Sequence, residues 1–221
     1  MIEKIGTKGY EVISKPCDEV IEILKRLKSK GEPVTVGEVG VGIGATSLAI
    51  LEYLDENDTF YLFSYEKDVK ELVNDLEQIN DRKISIIGLG NSTKTYDSYS
   101  WNLAKLALKM RNENVNGIFD LIFLDGAHTF IHDAPACYCI KQLLKVGGYV
   151  IFDDMYWSMS KSPTCNPDKR PQVREMYTDE QIETCHIDMI VSLFMSNDDS
   201  FQQIYLSDNK KPLRSIWNRV S

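Results

Sequence analysis

The stretch that most constrains this chain is Glu38-Val39-Gly40-Val41-Gly42-Ile43-Gly44. Before it, Val34, Val36 and Val39 are interrupted by small or polar residues, which predicts a strand. After it, Ala45, Leu48, Ala49 and Leu51 recur at helical spacing. A strand, a glycine turn and a helix form the first unit of a nucleotide-binding sheet. Glycine accepts the backbone angles of a tight reversal, and without a Cβ at Gly40 and Gly42 a ligand can lie on the backbone. Free N–H groups and positive potential at the following helix N-terminus suit a carboxylate or phosphate. Gly40-Val41-Gly42-Ile43-Gly44-Ala45 formally meets the dinucleotide pattern G-x-G-x-x-A, and a turn with no ligand is the plain alternative.

The later strands bring acids to the same rim. Residues 59–65 predict a second strand ending in Glu66-Lys67-Asp68. Glu66, about twenty residues past the glycines, is placed to accept the two ribose hydroxyls of an adenosine. The alternative is a charge that is favourable at a helix N-terminus. Residues 67–80 predict a helix. Residues 84–87 predict a short third strand, followed by the loop Gly88-Leu89-Gly90-Asn91-Ser92, and 101–111 a further helix. The apolar run 118–124 has the pattern of a central parallel strand buried on both faces, and it ends in Asp125-Gly126-Ala127-His128. A helix over about 129–144 leads to a strand over 146–152 that ends in Asp153-Asp154. In open α/β sheets ligands sit at the carboxyl ends of strands, so Asp125, Asp153 and Asp154 share a rim with Gly40 and Glu66. Three carboxylates forced together repel, and a bound cation removes that cost. Oxygen donors favour Mg²⁺, Mn²⁺ or Ca²⁺ over zinc.

In combination these motifs resemble class I S-adenosylmethionine (SAM) methyltransferases, with Glu38 as the acid of an acidic-x-G-x-G-x-G turn. Asp-Gly-Ala-His after the fourth strand and Gly-Gly-Tyr-Val-Ile-Phe-Asp-Asp at the fifth are similar to the metal-dependent O-methyltransferases. The nearest pattern is the group containing macrolide-sugar and aminocoumarin-sugar O-methyltransferases. The catechol O-methyltransferase type is more distant and ends its fifth strand in Asp-Asn, where this chain has Asp153-Asp154. The resemblance spans roughly residues 33–155. It implies SAM as cofactor, held by Glu38, Gly40, Gly42, Gly44, Thr46, Ser47, Glu66, Asn91, Ser92 and Asp125. Asn91 or Ser92 stands where the family often carries an Asp beside the adenine, and a plain turn there is the alternative. The family's metal ligands map onto Asp125, Asp153 and Asp154, with Mg²⁺ or another hard divalent cation. His128 occupies the offset of the catechol type's lysine base. It is either the base for a substrate hydroxyl or a residue orienting Asp125. His132, one helical turn on, could join it in a facial triad for iron, which leaves further acids unexplained. His186 is expected to be structural.

The expected fold is Rossmann-like α/β: a doubly wound, mostly parallel sheet with a C-terminal antiparallel hairpin and helices on both faces. A single domain over 1–221 divides into an N-terminal helical cap (1–32), a SAM- and metal-binding core (33–154), a substrate lid loop (155–177) and a C-terminal helix and hairpin (178–221). Thr178 and Gln181 predict a capping box that opens a helix running to about Met195. Residues 201–206 and 213–220 predict the hairpin.

A formal net charge of −8 and a pI of about 5.0 argue against nucleic acid or an anionic membrane as partner. No apolar run is long enough to span a bilayer, the first residues lack a signal-peptide core, and five cysteines show no paired framework. Cytoplasmic location and reduced thiols follow as expectations.

The expected activity is divalent-metal-dependent methylation of a hydroxyl on a small molecule with vicinal oxygens, a natural-product sugar or a catechol-like phenol. The alternatives are a metal-independent SAM methyltransferase, a nicotinamide dehydrogenase and a non-catalytic SAM-binding protein. A homodimer sharing a lid helix is compatible with the sequence.

Overall fold

The computed structural model describes residues 1–206 and 213–221. The strands are β1 Thr35–Val39, β2 Thr59–Tyr65, β3 Ser85–Asn91, β4 Phe119–Leu124, β5 Leu144–Phe152, β6 Phe201–Ile204 and β7 Ser215–Arg219. They form one sheet in the order β3-β2-β1-β4-β5-β7-β6. The first five are parallel, while β7 runs antiparallel to both β5 and β6. The helices are α1 Asp18–Lys28, α2 Ala45–Leu51, α3 Glu66–Ile79, α4 Tyr99–Asn112, α5 Phe130–Leu143, α6 Val173–Met176, α7 Asp179–Glu183 and α8 His186–Phe194. This is the Rossmann-like sheet with a reversed terminal pair that the sequence predicts.

Strand alternation divides the core into two layers. Val36, Phe60, Leu121, Phe123 and Ile151 meet α1, α2 and α3 on one face through Val20, Leu24, Ile50, Leu72 and Leu76. Val39, Phe63, Ile122, Leu124, Val150 and Phe152 meet α4, α5 and α8 on the other through Leu103, Ile140 and Ile190. Each such side chain contributes roughly 2 kcal/mol when fully buried.

Two elements differ from expectation. The third strand does not stop at Ile87 but runs through the glycines to Asn91. A Cβ on Gly88 would stand 2.4 Å from Val69 Cγ1, and one on Gly90 2.4 Å from Glu66 Cα. These glycines let α3 lie directly on the strand, so they mark close packing rather than a loop. The helix expected from Thr178 to about Met195 is two helices, α7 and α8, separated at Thr184-Cys185. Its capping box is present, with Thr178 and Gln181 bonded reciprocally.

Among the described residues no helix is long and apolar enough to cross a membrane. All five cysteines are free thiols.

Candidate active site

The three turn glycines meet three different demands. All have positive φ, +85° at Gly40, +49° at Gly42 and +87° at Gly44. A Cβ on Gly40 would lie 1.8 Å from the carbonyl oxygen of Asp125, so the space beside this residue belongs to β4's exit loop rather than to a ligand. A Cβ on Gly44 would press on Leu72 and Ile2. Beside Gly42 there is open space, and it is the residue at which a ligand can approach the backbone.

Glu38 closes β1 beneath this turn and is buried. Its Oε2 accepts a hydrogen bond from the Ser47 hydroxyl on α2, itself fully buried. Thr46 Oγ1 accepts from the Cys17 amide, which ties the start of α1 to the turn. Burial pushes the Glu38 carboxyl up, Ser47 pulls it back in part, and the charge of Asp125 adds to the rise, leaving it at about 8. A carboxyl that holds its proton more tightly in the fold stabilises the fold in its neutral form. That contribution is complete below the ordinary value of 4.5 and is lost as pH rises through about 8. Glu38→Gln, neutral throughout, should flatten this fall, worth roughly a few kcal/mol. Thermal unfolding at a series of pH values without added SAM reads it, and a wild-type-like profile in the variant would contradict the assignment.

The β2 and β3 ends supply the next residues. Glu66 is the first residue of α3, exposed, and paired with Lys70 one turn on. Asn91 is buried, and its Oδ1 has no hydrogen-bond partner among the described residues. Ser92 instead turns inward, donating from both its amide and its hydroxyl to Asp97 Oδ2.

Asp125, Asp153 and Asp154 emerge from the adjacent ends of β4 and β5. Each carries a cationic neighbour. His128 Nε2 lies 3.4 Å from Asp125 Oδ1 and 3.6 Å from Asp154 Oδ2. Arg214, just before β7, places Nε 2.9 Å from Asp153 Oδ1 and Nη1 2.9 Å from Glu19 Oε2. The Arg214 N–H does not point along the line to Asp153, so that contact is an ion pair rather than a hydrogen bond. Burial would lower the pKa of His128, but contact with Asp125 and the charge of Asp154 outweigh it and hold it at about 9. Burial also pushes Asp153 up, and repulsion from Asp125 and Asp154 exceeds what Arg214 recovers, to about 6. His128 and Asp154 both have left-handed backbones, at φ +54° and +53°. Such conformations on residues with side chains concentrate at functional sites. The three aspartates are near neighbours held in ion pairs, not a closed ligand cage. Among the described residues, the one set of three His, Cys, Asp or Glu groups with ligand atoms all within 4.8 Å is Glu3, Glu71 and Asp75, which surrounds the Met1 ammonium.

Sequence reasoning missed the residues that hold the loop of 126–129 in place. Tyr99 donates its hydroxyl proton to Asp133 Oδ1 and accepts the Ala127 amide at 2.9 Å. Asp133 Oδ2 accepts the Thr129 amide at 2.9 Å. A Cβ on Gly126 would strike both Tyr99 and Asp133 at 2.4 Å. The signal was available only as a buried-type Asp inside a helix, with no partner visible in sequence. Tyr99→Phe removes a donor from a buried carboxylate and an acceptor from an amide, so chemical unfolding should show a loss of about 2 kcal/mol. A loss below about 0.5 kcal/mol would mean that the loop is held by other contacts.

His132 faces Thr129, its Nδ1 2.7 Å from that hydroxyl. His186 is structural: Nδ1 accepts the Phe130 amide at 2.9 Å, and Nε2–H donates to the Gln181 carbonyl at 2.8 Å. It thereby caps α5 from α8. The segment 155–177 is folded over the rim around Met159, Val173 and Ile182, with Trp157 and Tyr177 against them. The Trp157 ring centroid is 5.5 Å from that of His128.

A family described as a methyltransferase domain matches residues 38–155, more than half of the chain. No curated protein matches. Among solved structures, a protein provisionally named an O-methyltransferase from Klebsiella pneumoniae aligns with a TM-score of 0.60 at 12% identity, covering 100% of this chain and 86% of that one. The O-methyltransferase TomG from Streptomyces achromogenes, in complex with SAM, gives 0.52 at 10% identity, covering 92% and 80%. A Podospora anserina methyltransferase bound to S-adenosylhomocysteine (SAH) gives 0.54 at 18%, covering 91% and 77%. At these identities the likeness is one of fold.

Proposed function

The chain belongs to the methyltransferase-domain family and is a SAM-dependent methyltransferase, and we propose that it methylates a hydroxyl of a small molecule with vicinal oxygens, assisted by a divalent cation. The observation that carries the finer reading is the convergence of Asp125, Asp153 and Asp154 on one rim, beside the glycine turn. Their donors are hard oxygens, and the pKa of Asp153 is raised first by burial and then by repulsion from Asp125 and Asp154, the part that a cation would relieve. The donor chemistry therefore suits Mg²⁺ or a similar ion, and these three carboxylates would have to draw closer together to hold one. Such an ion supplies Lewis acidity that lowers the pKa of a hydroxyl bound to it. The names of the Klebsiella and Streptomyces proteins support oxygen as the acceptor atom.

The chain's own residues divide the remaining work. SAM supplies an electrophilic methyl group. Gly42 gives it room at the backbone, Glu66 would accept its ribose hydroxyls, and the unpartnered Asn91 Oδ1 would accept the adenine amine. Glu38 and Ser47 shape the turn from below. His128, cationic while paired with Asp125 and Asp154, would take the hydroxyl proton only in its neutral form and otherwise orients Asp125, with the Trp157 ring beside it. The acidic chain, with five free thiols, fits a cytoplasmic enzyme acting on small molecules rather than on nucleic acid or membranes.

Incubation with SAM, Mg²⁺ and a panel of vicinal diols should give SAH and a monomethyl ether, and EDTA should stop the reaction. A rate unchanged by EDTA would favour a metal-independent methyltransferase, and no SAH with any diol would remove this acceptor class.

A further inference from the structure

A cavity of about 560 Å³ lies between the 155–177 segment and the His128 loop. Ala127 and Thr129, on either side of His128 in the chain, both line it, and the Trp157 ring reaches from it to the His128 ring. Its walls are mainly flat or apolar, from Tyr65, Trp157, Val173, Met176 and Tyr177. Arg170 is the only formally charged side chain among its lining residues, and no carboxylate faces it there.

Acidic residues outnumber basic ones, 33 to 25. Arg26, Arg174 and Arg214 each pair with a carboxylate. Arg170, which is exposed, has no ion pair and no side-chain hydrogen bond among the described residues; the same holds for Arg111, which lines a different cavity. A guanidinium presents a planar fork of donors that matches a carboxylate in two parallel bonds. Aromatic walls at cavity scale suit a planar ring.

We infer that the acceptor is an aromatic hydroxy acid whose carboxylate is held by Arg170, with its ring between the aromatic walls and its hydroxyls toward His128. This rests on the O-methyltransferase reading and names the acceptor class for the same site. It also assigns the 155–177 segment as the specificity element, since Arg170, Val173 and Met176 all come from it.

The test is calorimetric titration of 3,4-dihydroxybenzoate and of 1,2-dihydroxybenzene into the whole chain saturated with SAH and Mg²⁺, wild type beside Arg170→Gln. The wild type should bind the benzoate at least about tenfold more tightly than the uncharged diol, the scale of one charge-assisted contact. In Arg170→Gln that advantage should vanish while SAH affinity stays unchanged. Equal binding of the two compounds, no binding of either, or an advantage that survives in the variant would overturn the inference. So would a loss of SAH affinity in Arg170→Gln, which would give the cavity to the cofactor. SAH binding by the wild type, read first in the same cell, tests the methyltransferase reading separately. Turnover of the uncharged diol, with no preference for the acid, would uphold methyl transfer while removing the role of Arg170.

Discussion

Gly40→Ala should destabilise the fold by about 3 kcal/mol or more, seen as a fall in Tm of roughly 10 °C. The added methyl would stand 1.8 Å from the Asp125 carbonyl oxygen, and that atom is backbone at the end of a central strand, with little freedom to retreat. The left-handed backbone at φ +85° adds about 1 kcal/mol of strain for any residue with a Cβ. SAM binding should fail with it, because β1 and β4 can no longer meet at the rim. Gly42→Ala is the control. Its φ is +49° and nothing lies within 4 Å of the added carbon, so the fold should lose less than about 1 kcal/mol. Its cost should fall on SAM affinity instead. Equal thermal stability of Gly40→Ala and wild type would show that the β1 and β4 exits are not tied in this way.

Asp153→Ala should have the opposite profile, small in stability and large in activity. Asp153 is crowded by two other carboxylates, so its removal relieves repulsion as well as breaking the pair with Arg214, which keeps Glu19 as a partner. If Asp153 is one of three oxygen donors to a cation, as proposed, its removal should lower kcat/KM roughly a hundredfold to a thousandfold. SAM affinity should change less than about threefold, because the glycine turn and Glu66 lie on other strands. Steady-state kinetics with SAM and a vicinal diol reads both quantities. A variant with near-normal kcat/KM would move the account to the metal-independent alternative.

How much of this was legible in the sequence varies with the range of the interaction. The sheet was legible because each strand announces itself locally, Val34 to Val39 by β-branching and 118–124 by an unbroken apolar run. The rim acids were legible because strand ends are where ligands sit in such sheets, and Asp125, Asp153 and Asp154 end theirs. The third strand was cut short because Gly88 and Gly90 read as turn residues. Only the proximity of Val69 and Glu66 shows why a strand needs glycine there. The break between α7 and α8 was hidden for a similar reason, since His186, the first residue of α8, spends its side chain on capping α5, which begins 56 residues earlier. The ion pairs of the site were beyond sequence altogether. Nothing near Arg214 in the chain links it to Glu19 or Asp153, and Tyr99 meets Asp133 across 34 residues. Local pattern specifies elements and their ends, while charge partners depend on the folded neighbourhood.

The most direct test of the central claim is calorimetric titration of SAM into the intact chain, followed by Mg²⁺ in the same cell. The account predicts saturable binding of one SAM per chain and then a single Mg²⁺ site that is absent in Asp153→Ala. A wild-type chain that gives no heat with SAM, or that binds NAD in its place, would contradict it.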